Sequence, residues 1–291
     1  MVNTLENYKK FMKAGNKMYL RFKDGKAKVL TLSYDDGVVQ DIRLIGIMDK
    51  YGLKGTFNIN TGLYLEEDAV REQYYGRMKL SEAKELYTNS GHEVAVHALT
   101  HPFLERLDST EVIHEITEDR KNIEKEYGTI ARGMAYPFGT YSDEVVEILK
   151  NCGIVYSRTT ISTEKFRMPK DWLRLEATCH HSNPRLMELA KQFVEGDVRW
   201  GLPQMFYMWG HSYEFDNNDN WNVIEEFAKY TGGRDDIWYA TNIEIYDYVK
   251  AYESLQMSYD RKIIHNPSAT DVWAYDEGET FCIKAGETIY R

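Results

Sequence analysis

The stretch Thr31-Leu-Ser-Tyr-Asp-Asp-Gly37 is the end of a predicted strand and carries two adjacent carboxylates followed by a glycine. Neighbouring side chains in a strand point in opposite directions. Where the predicted strand Lys28–Tyr34 gives way to a loop, the Asp36 carboxylate can turn back toward Asp35. Gly37 permits a turn that a β-carbon would obstruct. Asp-Asp-Gly alone is usually a solvated turn. A functional role for Asp35 and Asp36 therefore requires other polar side chains close to them in the fold.

Strand patterns alternate with helix patterns through most of the chain. The residue pattern gives about seven strand-then-helix units, which predicts an α/β fold with a parallel sheet that is closed or nearly closed. Helix ends carry clear signals. Asp108 precedes a helix predicted to reach Tyr127, and Thr241 begins a Thr-Asn-Ile-Glu capping box.

The N-terminal part is predicted to be a polar leader followed by a hairpin. Residues 1–17 are polar, and Leu5–Ala14 is compatible with a short helix. Tyr19–Lys23 and Lys26–Tyr34 flank Asp24-Gly25, a good two-residue turn, so we expect these two strands to pair with each other.

After Leu255 the residue pattern differs from the alternation of strands and helices that precedes it. Short strand patterns there are separated by proline, glycine and charged turns, which predicts a small β appendage packed on the same domain. We therefore divide the chain into a barrel with its leader and hairpin, residues 1–255, and an appendage, residues 256–291.

Composition limits the partners and the compartment. The chain has 291 residues, 43% of them hydrophobic, and a formal net charge of −10, which argues against nucleic acid and gives no support for an anionic membrane. No apolar run approaches the length of a transmembrane helix. Met1–Lys17 shows no secretory signal, and three scattered cysteines fit a reduced compartment, so we expect a cytoplasmic protein. The sequence does not indicate an oligomeric state.

Polar residues fall at the ends of several predicted strands, and in a parallel α/β barrel the carboxyl ends of the strands carry the chemistry. Pro102 disfavours a helix around His101, so His97 and His101 are predicted to lie on a strand end and its loop. Two imidazoles and a carboxylate are a usual set for an open catalytic metal site. The strand ends carry Asp35 and Asp36, His97 and His101, Tyr136-Pro-Phe-Gly139, and His211.

These motifs resemble, in order and spacing, those of the polysaccharide deacetylases, the NodB-homology carbohydrate esterases of family 4. The resemblance covers roughly residues 28–250 and implies a distorted (β/α)7 barrel, in agreement with the alternation of elements. It implies that Asp35 is the general base and His211 the general acid. It also implies that the backbone N–H around Phe138 helps to hold the oxyanion. The implied ligands of a divalent metal, usually zinc but with cobalt, nickel or manganese as alternatives, are Asp36, His97 and His101.

Three departures from the family pattern indicate a divergent branch. Ala98 replaces the usual serine or threonine, and Thr100 is the candidate to compensate. Ala135 replaces the arginine that orients the base, so we expect ionised Asp35 to have less support than in relatives; Arg132 is nearby but not in that position. Asp171-Trp172 matches the family's Asp-and-Trp element only weakly.

Aromatic residues near the motifs are candidate sugar contacts, in a chain with 22 Tyr and 6 Trp. We predict a metal-dependent hydrolase that removes acetyl groups from N- or O-acetylated sugars, with an acetylated carbohydrate as its partner. A metal-dependent amidohydrolase acting on a small non-sugar amide or cyclic imide is one alternative. A glycan-binding barrel without catalysis is the other, although retention of both Asp35 and His211 weighs against it. The candidate oxyanion and substrate contacts are Tyr136, Pro137, Phe138, Tyr141, Trp172, Trp209 and Tyr213, with His180 and His181 as a second polar cluster.

Overall fold

The computed structural model describes residues 18–70, 76–198 and 201–291, and the predicted helix Leu5–Ala14 lies outside them. A parallel sheet forms its centre, with the order β7-β6-β5-β4-β3-β2-β9-β8 and with β10 attached to β2. The strands up to the appendage are β1 (Tyr19–Arg21), β2 (Lys28–Asp35), β3 (Gly55–Ile59), β4 (Glu93–Val96), β5 (Gly133–Ala135), β6 (Tyr156–Ser162), β7 (Leu175–Ala177), β8 (Cys179–His180), β9 (Gln204–Gly210) and β10 (Ile237–Tyr239).

The segment that contains β7 and β8 closes this sheet. β7 pairs with β6, whereas β8, only one residue further along, pairs with β9. Thr178 between them donates its backbone N–H to the carbonyl of Tyr207 on β9 at 2.8 Å. Within the described residues the ring therefore has seven strand positions, with β7 and β8 sharing one, and the predicted distorted (β/α)7 barrel is confirmed.

Helices surround the barrel, and their ends follow local signals in the sequence. Asp108 accepts hydrogen bonds from the backbone N–H of Thr110 and Glu111, and Gly128 ends the same helix in a left-handed conformation (φ 66°). Thr241 forms the predicted capping box with Glu244. The helices are α1 (Gln40–Lys50), α2 (Leu80–Tyr87), α3 (Ser109–Tyr127), α4 (Asp143–Asn151), α5 (Leu186–Glu195), α6 (Tyr213–Asn217), α7 (Asn222–Thr231) and α8 (Asn242–Glu253).

The barrel interior mixes polar and apolar side chains, whereas the layer between sheet and helices is apolar. Alternate residues of β2 divide between the two environments: Leu30, Leu32 and Tyr34 join the main hydrophobic core, which includes side chains of α1, α5 and α7. The start of α8 closes the amino-terminal end of the barrel. There the backbone N–H of Asn242 donates to Thr56 Oγ1 at 3.1 Å, and that of Ile243 donates to Glu93 Oε2 at 2.9 Å. The predicted site residues lie at the opposite end of the barrel, where the carboxyl ends of the strands meet.

The predicted hairpin between Tyr19–Lys23 and Lys26–Tyr34 is wrong. β1 pairs antiparallel with β13 (Val272–Asp276) and not with β2. The side chain of Phe22 is fully buried and packs against Trp238, with ring centroids 5.8 Å apart. The tight turn that follows Phe22 therefore carries the chain from a separate small sheet into the barrel.

The C-terminal residues form short antiparallel strands, as expected. β13 lies between β1 and β14 (Glu279–Ile283), and a second small sheet contains β11 (Gln256–Met257), β12 (Ile263–His265) and β15 (Thr288–Tyr290). An apolar cluster joins these sheets to the end of α8 through Ala251 and Leu255. The domain boundary at residue 255 stays a prediction. Across the described ranges, no helix has both the length and the apolar character needed to cross a membrane.

Candidate active site

The two adjacent aspartates lie at the carboxyl end of β2 in different environments. Asp35 is 2% exposed and accepts a hydrogen bond from Asn58 Nδ2 at Oδ1 (2.8 Å). Asp36 has a left-handed backbone (φ 86°), and its N–H donates to the Asn58 carbonyl at 2.9 Å. Its carboxylate pairs with Arg77, whose guanidinium lies 3.1 Å from Oδ1. Asp35 thus points into the barrel, while Asp36 faces the rim.

Arg158 on β6 supplies the arginine that is missing at position 135. Ala135 and Arg158 are direct partners in the pairing of β5 with β6, so the guanidinium comes from the neighbouring strand. Arg158 is 1% exposed, donates to Asp35 Oδ2, and lies 4.4 Å from the centre of the Trp209 ring. Burial raises the pKa of Asp35, but Arg158, followed by His97 and His211, lowers it to about 2. The expectation of weaker support for ionised Asp35 is therefore wrong.

His97 and His101 lie beside Asp36, and one ligand atom from each of the three falls within 4.8 Å of the others. His97 Nδ1 is 2.8 Å from the carbonyl oxygen of Ala135, which leaves Nε2 free to face the other two residues. Burial, opposed by Asp35, lowers the pKa of His97 to about 4, so its imidazole is neutral, as ligation requires. The donor set fits a divalent metal such as zinc.

The loop between these histidines depends on Thr100 in a different way from that expected. Its hydroxyl donates to Glu115 Oε1 at 2.7 Å and its backbone N–H to Glu115 Oε2 at 2.8 Å. Thr100 therefore anchors the loop to α3 and does not replace the family side chain at Ala98, which is fully buried.

His211 follows β9 and lies on the other side of Asp35. Its Nε2 is 3.9 Å from Asp35 Oδ2, and its Nδ1 is 3.2 Å from Glu214 Oε1. Burial lowers the pKa of His211, but Glu214 and then Asp35 outweigh it, and the pKa is raised overall. A protonated imidazole is therefore favoured at this position.

His180 and His181 converge on the second oxygen of Glu214. Their Nε2 atoms lie 3.2 and 2.8 Å from Oε2. His181 is 2% exposed, and its ring centroid is 5.8 Å from that of Tyr34 and 4.2 Å from that of Phe215. Burial raises the pKa of Glu214, but the surrounding imidazoles of His180, His181 and His211 hold it well below its usual range.

The predicted substrate contacts separate into two groups. Phe138, half exposed and with φ 57°, stacks on Phe103 at 3.8 Å and lies 4.5 Å from the His101 ring, so it belongs to the rim of the site. The Tyr213 ring is 5.2 Å from that of His211. Trp209 is mostly buried against Arg158, and Pro137 is buried at the base of the Phe138 turn.

The other three predicted aromatic contacts have side chains that lie outside the candidate site. Tyr136 is 1% exposed and donates its hydroxyl to the carbonyl of Leu173 at 2.8 Å, so a role of its side chain in the site is wrong. Tyr141 stacks on Tyr136 (5.0 Å) and lines a separate cavity of about 340 Å³. Trp172 packs edge-on against Tyr246 of α8 (5.2 Å), toward the closed end of the barrel, so it too is not in the site.

Four residues of this arrangement were missed in the sequence. Arg158 had a signal, because a charged residue at the end of an apolar strand pattern indicates a buried partner. The carboxylate of Asp171, the weak candidate for the family's Asp-and-Trp element, pairs with Arg174 at 2.7 Å. The missed residues are Asn58, Arg77, Arg158 and Glu214.

Comparisons with known proteins agree with these motifs. Residues 22–157 match the family model for polysaccharide deacetylase. No curated protein matches the chain. A Mycobacterium smegmatis protein described as a polysaccharide deacetylase is 16% identical, with a TM-score of 0.57 over 82% of this chain and 96% of that one. The Xyl-CE4 domain of a xylanase from the hindgut metagenome of Trinervitermes trinervoides is 14% identical, with a TM-score of 0.51 over 77% and 92%.

A third solved structure is similar over a shorter segment. A Streptococcus pyogenes deacetylase in complex with acetate is 24% identical, with a TM-score of 0.40 over 45% of this chain and 55% of that one. The chain therefore spans about half the length of the streptococcal protein. The first two structures share the fold, and the family match includes Asp35, Asp36, His97 and His101. Residues 22–157 therefore resemble the polysaccharide deacetylase family, as the motifs predicted.

Proposed function

We propose that this protein is a metal-dependent hydrolase that removes acetyl groups from N- or O-acetylated sugars or oligosaccharides. One observation carries the proposal: Asp35 Oδ2 lies 3.9 Å from Nε2 of both His97 and His211. His97 belongs to the candidate ligand set, whereas His211 lies outside it. A base, a ligand and an acid thus converge on one point at the open end of the barrel, which is what hydrolysis of an amide or ester needs.

Asp36, His97 and His101 would hold the cation. Zn²⁺ is our first choice for one carboxylate and two imidazoles, and Co²⁺, Ni²⁺ and Mn²⁺ are alternatives. A cation bound there supplies Lewis acidity toward an acyl oxygen.

Asp35 is proposed to take the proton of the attacking water. With a pKa of about 2 it stays ionised at neutral pH but is a weak base, so its contribution depends on position. Asn58 fixes one carboxylate oxygen and Arg158 the other, which holds the base in a single orientation.

His211 is proposed to donate a proton from Nε2 to the leaving group. Glu214 accepts from Nδ1 and thereby fixes the ring with Nε2 directed toward Asp35. The backbone N–H of Phe138 is the candidate oxyanion donor, because the Phe138 turn lies against His101. The stacked rings of Phe138 and Phe103 offer an apolar surface to the face of a sugar.

The test is release of acetate from a panel of acetylated oligosaccharides and small amides, with the protein loaded with Zn²⁺. We expect turnover on at least one acetylated sugar. Asp35→Asn should abolish it, whereas Asp171→Asn, a change at a carboxylate outside the site, should not. Turnover only on non-sugar amides would make the protein an amidohydrolase. Glycan binding without any turnover would make it a binding protein.

A further inference from the structure

A second group of metal-ligating side chains lies next to His211. We call His180, His181 and Glu214 the second cluster. One ligand atom from each falls within 4.8 Å of the other two, as is also true of the Asp36 set. His180 ends β8, His181 follows it, and Glu214 lies on α6, so the end of one strand and one helix bring these side chains to one place. The proposed hydrolysis uses only Glu214, through its other oxygen.

The contacts inside the second cluster are close, and they converge on one carboxylate oxygen. Glu214 Oε2 lies 2.8 Å from His181 Nε2 and 3.2 Å from His180 Nε2. Oε2 is nevertheless buried without a well-directed hydrogen bond from any of the described residues. Buried carboxylate oxygens are almost always satisfied. The three atoms lie close enough together to serve as ligands around a common point.

The surroundings fix the two imidazoles in place. His180 Nδ1 is 2.7 Å from Ser182 Oγ, the kind of outer partner that orients a ligating histidine. Without a cation, His180 can carry its proton on Nε2. Its Nδ1 then accepts a hydrogen bond from the backbone N–H of Ser182 at 3.2 Å. The His181 ring lies so close to Gly210 that a β-carbon there would be 2.1 Å from its Nδ1. The cluster is therefore preorganised.

We propose that His180, His181 and Glu214 bind a second divalent cation of the zinc class, separate from the one assigned to Asp36, His97 and His101. Two histidines and a glutamate form one of the ligand sets that proteins use for open zinc sites, and imidazole also suits cobalt and nickel. Glu214 Oε1 remains 3.2 Å from His211 Nδ1, so the same carboxylate would join the second cation to the proposed acid.

The test counts cations in the purified protein, equilibrated with Zn²⁺ and desalted before elemental analysis. If each set of three ligands holds one ion, the wild-type protein retains about two equivalents, and His97→Ala and His180→Gln each retain about one. The double variant should retain almost none. The control is His114→Gln, which removes an exposed histidine of α3 and should bind as many ions as wild type.

A spectroscopic measurement isolates the second cluster. His97→Ala loaded with Co²⁺ should show ligand-field bands that disappear when His180→Gln or Glu214→Gln is added. Glu214→Gln keeps the shape of the side chain and serves if His180→Gln does not fold, as judged by its near-ultraviolet circular dichroism. A single equivalent in wild type that is lost in His97→Ala would overturn the proposal and leave the cluster as a hydrogen-bonded group. Neither measurement uses acetate release, so this result is independent of the proposed function.

Discussion

At the scale of single residues, Asp35 keeps an arginine as its charge partner. That arginine lies at a different sequence position from the one that the family pattern predicts. The family pattern expects an arginine at position 135, and this chain has alanine there. Arg158 stands directly opposite on the neighbouring strand and reaches the same carboxylate. Both charged groups are buried, so each compensates the charge of the other.

Arg158→Ala should destabilise the protein and lower its turnover. Removing one partner of a buried pair leaves an uncompensated charge, which costs roughly 3–5 kcal/mol. Urea denaturation at neutral pH measures the loss, and acetate release measures the rate. Ala135→Arg added to this variant returns the arginine to the family position and should recover part of both. If Arg158→Ala alone had wild-type stability and a wild-type rate, neither the fold nor the role of Asp35 would depend on Arg158.

Asp35→Asn should abolish turnover, and it should also lower stability because it leaves the buried Arg158 without its counter-charge. Asparagine keeps the shape and the contact with Asn58 but cannot accept the proton of water, so we expect a loss of at least about 10²-fold. Elemental analysis should show unchanged metal content, because Asp35 is outside the ligand set. Retention of most of the rate would assign the proton acceptor to another group.

His211→Ala and His97→Ala should fail in different ways. His97→Ala should lose metal and activity together. His211→Ala should keep its metal and lose turnover, more severely on an amide than on an ester with a good leaving group, because an amine leaves poorly without a proton. The comparison needs metal content and rates on one amide and one activated ester. Metal loss in His211→Ala equal to that in His97→Ala would make His211 a ligand.

At the scale of elements, α3 links a local sequence signal to the metal loop. Its buried Asp119 accepts the backbone N–H of His97 at 3.0 Å, and its Glu115 holds Thr100. The same helix starts at a capping box that could be recognised in the sequence. The capping box, which involves only residues close together in the chain, thus fixes the start of the helix that supports the metal loop.

Asp108→Ala should lower stability by about 1 kcal/mol, because it removes the acceptor for two N–H groups at the start of α3. Chemical denaturation measures this loss, and activity well below the melting temperature should be unchanged. Asp108→Asn is the matched control, since asparagine also caps helices and should be nearly neutral. Equal losses in the two variants would point to charge and not to capping.

At the scale of the whole molecule, Glu93 joins several elements at the closed end of the barrel. From β4 it accepts hydrogen bonds from Thr56 on β3, Tyr156 on β6 and the backbone of Ile243 on α8, all between 2.7 and 2.9 Å. Burial raises its pKa to about 7, although these three donors oppose the shift. The closed end is therefore sensitive to pH even though it lies far from the proposed chemistry.

Glu93→Gln should flatten the dependence of stability on pH. The pKa of Glu93 is higher in the folded protein than its ordinary 4.5, so its stabilising effect is complete below about pH 4.5 and is lost as pH rises through about 7. The wild type should lose on the order of 3 kcal/mol more than the variant between these limits. Urea denaturation at several pH values gives both curves. Parallel curves would show that Glu93 is ionised in the fold throughout.

Local sequence patterns were enough to predict the alternation of strands and helices and the helix caps at Asp108 and Thr241. They also predicted the strand-end positions of Asp35, Asp36, His97, His101 and His211. These features depend on residues close to one another in the chain. Periodicity decides which face of an element is apolar, and the carboxyl ends of parallel strands must meet at one edge.

Contacts between residues far apart in the chain could be seen only in the folded structure. It pairs β1 with β13, closes the ring through residues 175–180, and places Arg158 beside Asp35. It also gathers three imidazoles around Glu214 and buries Tyr136, which looked like a site residue in the sequence. Each outcome depends on the register between strands and on packing between segments far apart in the chain. Local patterns do not specify that register, because the same strand can satisfy its hydrogen bonds with more than one neighbour.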